Sequence, residues 1–216
     1  MNTYKLILFN IMTNIEYSKT KDIQNNNIIL FISKTQEVNN ISLPQNVEFN
    51  TKNNSFLKKL EKNKRIKLDI FNKNSHFKLL FVLIDLKKTN PFTIGSALVN
   101  EFNFETDKKI SFQFSNIISL KSKNIISDIL LGFQIKLYKY DKFSTKKNVV
   151  PNSISLNISN KTIINKINYN KNLLFAINTA KDLVSHPGNI LNPVTFSNIC
   201  KDFKIKGLKI KELDYS

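Results

Sequence analysis

The sequence predicts an α/β fold, with a mostly parallel sheet flanked by helices over residues 1–160, a linker and connecting helix over 161–186, and the opening of a second unit over 187–216. Three observations carry this reading. Apolar segments alternate with segments of helical periodicity, in the order strand, helix, strand, helix, strand, from Phe77 to Ser159; that alternation is the mark of parallel strands joined by crossovers. Phe77–Leu86, FKLLFVLIDL, is apolar almost throughout, as a strand covered on both faces must be. Ile126, Ile129, Leu130, Phe133, Leu137 and Tyr140 fall at helical spacing, which supplies one stripe for a sheet to bury.

Taken in order, Tyr4–Met12 and Asn27–Ser33 are rich in Ile, Leu and Phe and read as strands, with polar Asn14–Asn26 between them as a loop or short helix. Glu37–Asn54 carries Pro44 and many Asn and reads as a loop. Ser55–Lys64 fits a short helix or the first arm of a hairpin into Arg65–Phe71. Thr93 is placed to cap a helix running to about Asn103, and Gly95 to permit a tight strand-to-helix turn. Lys109–Ser115 and Ser153–Ser159 alternate as strands. Asn160–Asn172 is rich in Asn and Lys and reads as a linker. Leu173–Ser185 follows as a helix, which Pro187 and Gly188 stop. Asn192 can cap the next helix, Pro193–Phe203, and Pro193 suits its first turn because its missing N–H would have had no partner there. Leu208–Leu213, LKIKEL, alternates as a strand.

Composition bounds the partners. The 216 residues are 41% hydrophobic, enough for a packed core, and carry a net charge of +17. Such an excess invites a polyanion, yet it comes from Lys, with Arg65 the single arginine, alongside abundant Asn, Ile and Phe. These residues share A/T-rich codons, and readers of DNA sequence rely on Arg for bidentate contacts to guanine. The charge is therefore read as a solvated lysine surface, and nucleic acid is not the expected partner. Cys200 is alone, so no intrachain disulfide forms and a reducing compartment is expected. The first residues lack a long apolar core and a small-residue cleavage site, and no apolar run reaches the ~18 residues that span a bilayer. No membrane association and a cytoplasmic location are expected.

The residues that could carry chemistry mostly read as structural. His76 and His186 have no Cys or carboxylate at ligand spacing, and a metal needs three or four convergent ligands; His186 is expected to end its helix, where the dipole favours a cation. Cys200 falls on the apolar face of its helix, as a buried and inert thiol. Asp182 and Lys181 could form an ion pair across a domain or subunit boundary, and Asn189 suits a loop after Pro-Gly. Asp85 ends the strongest strand, where α/β sheets place ligands, but no Gly-rich phosphate loop accompanies it.

One motif has wider meaning. Ala180, Asp182, Leu183, Val184, Pro187, Asn189, Leu191 and Pro193 resemble the run A-R-D-L-V-N-x-P-x-N-x-L/M-T-P at the junction between the two domains of the leucyl aminopeptidase (cytosol aminopeptidase) family. Lys181 stands where Arg is usual and keeps the cation, and Asn192 stands where Thr is usual and keeps the cap. Ile94–Leu98 resembles the family's G-x-A-L/I helix start. Leu131–Phe133 with Tyr138, Tyr140, Asp141 and Phe143 resembles its G-x-x-L-x-x-Y-x-F/Y-D-x-Y/F helix end. The resemblance implies a macro-domain-like N-terminal domain, then the opening helix and strand of a zinc-exopeptidase-like domain. It also implies that the whole protein is a metallo-exopeptidase that releases N-terminal residues from peptides, uses two divalent ions (Mn or Zn) and assembles as a hexamer. The family's metal-binding motifs, K-G-x-T-F-D-x-G-G and N-T-D-A-E-G-R, do not occur in the sequence. No catalytic and no metal residue is therefore assigned within 1–216; the junction residues Asp182, Pro187, Asn189 and Pro193 are the candidates of interest. This segment is expected to be inactive alone and to serve structure or oligomerisation, and to need no cofactor of its own. The alternative, resting on the macro-like architecture that the resemblance implies and on the +17 charge, is a stand-alone module that binds a nucleotide or nucleic acid.

Overall fold

The computed structural model describes residues 14–17, 27–32, 54–72, 75–85, 90–114, 123–202 and 209–213. They form strands β1 (Asn14–Tyr17), β2 (Asn27–Ile32), β3 (Arg65–Asn72), β4 (Ser75–Leu83), β5 (Lys109–Gln113) and β6 (Ser153–Leu156). The helices are α1 (Asn54–Asn63), α2 (Pro91–Leu98), α3 (Lys123–Leu137), α4 (Lys161–Ser185) and α5 (Pro193–Asp202). The strands make one sheet in the order β1-β6-β5-β2-β4-β3. Every pairing is parallel except that of β3 with β4, so the α/β class and the mostly parallel sheet are as the sequence predicts.

The pleat sorts the core into two layers. Successive side chains of β2 point to opposite faces, and all six are buried because a helix lies over each face. Ile28, Leu30 and Ile32 join Leu79, Phe81 and Leu60 under α1. Ile29 and Phe31 join Leu80, Phe112, Phe133 and Ile163 in the larger cluster under α2, α3 and α4. The apolar run that begins at Phe77 forms the inner strand β4 as far as Leu83, and Ser55–Lys64 takes the helical alternative. A left-handed Lys64 (φ 62°) closes α1, its N–H bonded to Leu60 O at 2.8 Å, a conformation that glycine usually supplies at helix ends.

Several elements differ from the sequence reading, each for a local reason. Asn14–Tyr17, read as part of a loop or helix, is edge strand β1: Ile15 and Tyr17 pack on the core, and Tyr17 Oη donates to Asn168 Oδ1 at 3.2 Å. Tyr4–Met12 lies outside the described residues, as does most of Glu37–Asn54. The cap of α2 is Asn90, whose Oδ1 accepts from Phe92 N at 3.0 Å; Pro91 takes the first turn, and Thr93 sits one turn in. The helix ends at Leu98 and tightens into a 3-10 turn at Val99–Glu101. Gly95 serves a helix contact rather than a turn: a Cβ there would lie 1.8 Å from Ile129 O, and one on Gly132 would lie 2.2 Å from Phe92 O. The two glycines let α2 and α3 cross backbone to backbone.

Asn160–Asn172 is no linker. It is the first half of α4, a single helix of 25 residues capped by Asn160 Oδ1, which accepts from Thr162 N at 3.0 Å. Its Asn and Lys residues mostly face water, while Ile163, Ile167 and Leu174 enter the core; a helix needs only that stripe. At the other end, 209–213 is exposed and not a strand, and no described strand lies beside it to share a ladder. Helix α5 buries none of its residues, so Cys200 is half-buried rather than sealed, with Phe196 47% exposed beside it.

At the N-terminal ends of the central strands the buried Asp107 accepts from Lys78 Nζ at 2.7 Å and 2.8 Å, from Asn103 N at 2.7 Å and from Asn27 Nδ2 at 3.2 Å. Asn27 Oδ1 in turn accepts from Lys78 N at 2.8 Å. This network ties β2, β4 and the loop before β5 together. It satisfies a charge whose burial would otherwise be costly.

Candidate functional site: the α3–α4 junction

The residues singled out around the junction meet where α3 and α4 end side by side. The chain leaves α3 through Tyr138, whose phenol donates to Asp182 Oδ1 on α4. Burial, with help from that carboxylate, pushes the Tyr138 phenol well above its usual value. It remains a proton donor to Asp182 and is no base. Lys181, next to Asp182, does not pair with it, because adjacent helical residues point apart. Its ammonium instead donates to Ile135 O at 3.1 Å and lies 5.0 Å from the centroid of the Tyr138 ring. A cation on the last carbonyls of α3 is the favourable sign there. The expected Asp182–Lys181 pair is thus replaced by two separate clamps on α3.

His186 ends α4, as expected. Its Nδ1 meets Asp182 O and its Nε2 lies 3.1 Å from Lys142 Nζ. An ammonium only donates, so Nε2 accepts and the ring proton belongs on Nδ1. Tyr140 lies edge-on to the His186 ring at 5.5 Å, and burial raises its phenol too. Asp141 then shapes the return of the chain: its Oδ2 accepts from Asn148 N at 2.6 Å, while Asn148 Nδ2 caps Leu137 O at 2.8 Å. Tyr138 and Tyr140 thus meet Asp182 and His186 across more than forty residues of chain. Sequence reading quoted both motifs but could not join them; only the packing of α3 on α4 does.

The remaining candidates fall apart. Pro187 O accepts from Ile190 N at 2.9 Å and Leu191 N at 3.0 Å, closing a turn in which Asn189 is exposed. Asn192 Oδ1 accepts from Thr195 N at 2.9 Å, and Thr195 Oγ1 from Asn192 N at 2.8 Å, a reciprocal cap with Pro193 in the first turn. His76 lies on the β3–β4 hairpin, 3.4 Å from Asp69 and stacked on Phe71. Asp85 is exposed past β4. Among the described residues no three His, Cys, Asp or Glu converge as a metal would need, so their donor set does not fit a metal pair. The arrangement can brace two helices; it offers no nucleophile with a base.

A six-stranded, mostly parallel α/β domain, extended by one long helix whose end is clasped to α3, defines the class of protein. No family model matches the chain. Over 208 residues it is 31% identical to a probable cytosol aminopeptidase of Clostridium tetani, a match that covers 84% of this chain and 43% of that protein. Among solved structures, a tomato leucine aminopeptidase variant superposes with a TM-score of 0.63 at 15% identity, over 88% of this chain and 42% of the other. The bottromycin maturation enzyme BotP, in complex with Mn, superposes with a TM-score of 0.55 at 11% identity, over 82% and 36%. The chain belongs to the leucyl aminopeptidase family and matches its N-terminal region. It spans less than half the length of these relatives.

Proposed function

We propose that residues 1–216 are the N-terminal portion of a leucyl aminopeptidase-like metallo-exopeptidase and serve in it as a structural and oligomerising domain. The observation that carries this is the 31% identity to a cytosol aminopeptidase, which extends over 84% of the chain. In this reading the α/β domain ends in α4, the Tyr138–Asp182 clamp fixes the direction in which α4 leaves it, and the turn at Pro187–Asn192 starts the peptidase domain. The divisions proposed are 1–160, 161–186 and 187–216, with the connecting helix lending its buried stripe to the first. Two divalent ions, Mn or Zn, would be held outside this segment, since neither metal-binding motif occurs in it. They would supply Lewis acidity toward a peptide carbonyl. A hexameric, cytoplasmic peptidase is the corresponding whole, and among the described residues no helix is long and apolar enough to cross a membrane.

The test compares the protein expressed from its full reading frame with residues 1–216, on leucine p-nitroanilide with and without Mn2+ or Zn2+. Metal-dependent hydrolysis by the first and none by the second is expected. Hydrolysis by residues 1–216 themselves, or a full-length product inactive with every divalent metal, overturns the reading.

A further inference from the structure

Beside the clamp lies an open groove of about 380 Å³ lined by Phe92 and Ser96 of α2, Gly132, Ile135 and Lys136 of α3, then Tyr138, Lys139 and Lys181. It holds three ammonium-bearing side chains and no carboxylate. Among the described residues, no acid lies within ion-pairing distance of Lys136, Lys139 or Lys181. Asp182, the nearest acid in sequence to Lys181, is taken by the Tyr138 hydroxyl. The neighbouring groove is a useful contrast. It shares Lys136 and Lys139, but Asp141 and Glu105 also line it, and Lys146 pairs with Glu105 at 3.8 Å. Two carboxylates offset four lysines there, whereas the smaller groove sets none against three.

Lys181 shows the imbalance. It is partly withdrawn from water, with one hydrogen bond to Ile135 O. Burial, and then the charge of Lys136, push its ammonium below the usual lysine range. Lys136 and Lys139 are exposed, and the half-buried Lys181 bears the cost of a like charge beside it, which an anion would relieve. Lysines act as point charges with freely turning donors, which can serve the tetrahedral oxygens of phosphate. Ser96 also lines the wall, but its hydroxyl already donates to Thr93 O at 3.0 Å, which leaves the lysines to hold the anion.

We propose that this groove between α2 and α3 is a binding site for a phosphate dianion, held by Lys136, Lys139 and Lys181. The phosphate is either the free ion or the terminal group of a phosphomonoester. The proposal does not depend on the peptidase reading.

Calorimetric titration of the 216-residue chain at fixed ionic strength tests it, with inorganic phosphate, glycerol phosphate and chloride as probes. Saturable binding of phosphate or glycerol phosphate, absent with chloride, is expected, and the tighter of the two names the source. Lys136→Gln and Lys139→Gln should each weaken it about tenfold, the scale of one lost charge-assisted hydrogen bond. Lys62→Gln, on the distant α1, should leave it unchanged. Lys139 is exposed and makes no contact that the fold needs, so that variant folds. No saturable binding, equal response to chloride, or equal affinity in Lys139→Gln and Lys62→Gln overturns the proposal.

Discussion

Two tyrosines two positions apart separate what a buried hydroxyl contributes from what it costs. Tyr138 Oη donates to the Asp182 carboxylate, whereas Tyr140 Oη is buried with no hydrogen-bond partner among the described residues. Tyr138→Phe should therefore destabilise the protein by about 1–3 kcal/mol, since a charged acceptor is left behind. Tyr140→Phe should be neutral or slightly stabilising, because it removes an unsatisfied group and keeps the ring against His186. Denaturant midpoints of the two variants check this; equal losses would refute the assignment. The Tyr138 effect also has a pH window. Its phenol is raised above the ordinary tyrosine value of 10.0, so the folded state binds that proton more tightly than the unfolded chain does. The stability it contributes is complete below about pH 10 and is lost as pH rises past it. The gap between the native protein and Tyr138→Phe should stay constant from about pH 7 to 9 and narrow above about 10; a gap that widens there would contradict the clamp. The same arithmetic of removed partners applies to Asp107. Asp107→Asn leaves Lys78 charged and only 18% exposed, and should cost about 3–5 kcal/mol in the same measurement.

At the scale of elements, the α2–α3 crossing rests on absent side chains. A Cβ on Gly95 or Gly132 would meet the partner helix backbone at 1.8 Å or 2.2 Å, and backbone cannot swing aside as a rotamer can. Gly95→Ala and Gly132→Ala should each cost about 3 kcal/mol or more, despite the better helix propensity of Ala. Gly188→Ala, where an added Cβ meets nothing within 4 Å, should be neutral. Urea unfolding of the three variants distinguishes a crossing from a simple preference for glycine. These glycines also show what was legible in the sequence. Periodicity marks β5, β6 and the buried stripe of α3, because each buries a face whose spacing is fixed by local geometry, and an unbroken apolar run marks β4. What Gly95 packs against is set by a helix some thirty residues on, and no local pattern carries that. Composition misled at 160–172, where Asn and Lys on the wet side hid the spacing of Ile163 and Ile167. The candidate site was half legible. Its members stood out as motifs, yet Tyr138 and Asp182 became partners only through the packing of α3 on α4.

For the whole molecule the question is where the folding unit ends. A boundary at residue 160 would leave α4 outside it, yet Ile163, Ile167 and Leu174 are 1%, 2% and 2% exposed, the first two within the cluster that packs on the sheet. Asn170 Nδ2 also donates to Ser127 O on α3 at 3.2 Å. Burying a large aliphatic side chain is worth about 1.5–3 kcal/mol, so losing three removes about 5–9 kcal/mol. That is comparable with the whole stability of a domain, about 5–15 kcal/mol. Helix α5 buries nothing, so its removal should cost little. A chain of residues 1–160 should show no cooperative thermal transition by circular dichroism. Residues 1–186, which keep Tyr138–Asp182 and Lys142–His186, should melt within a few degrees of residues 1–216. If 1–160 melts cooperatively near the same temperature, α4 is a tether and not a wall of the core. If both pieces fail, then 187–216 holds the domain together despite its exposure. The expected ordering makes α4 a rigid strut shared by two duties: it closes the sheet with its first half and, through Asp182 and His186, sets the angle at which the following chain departs.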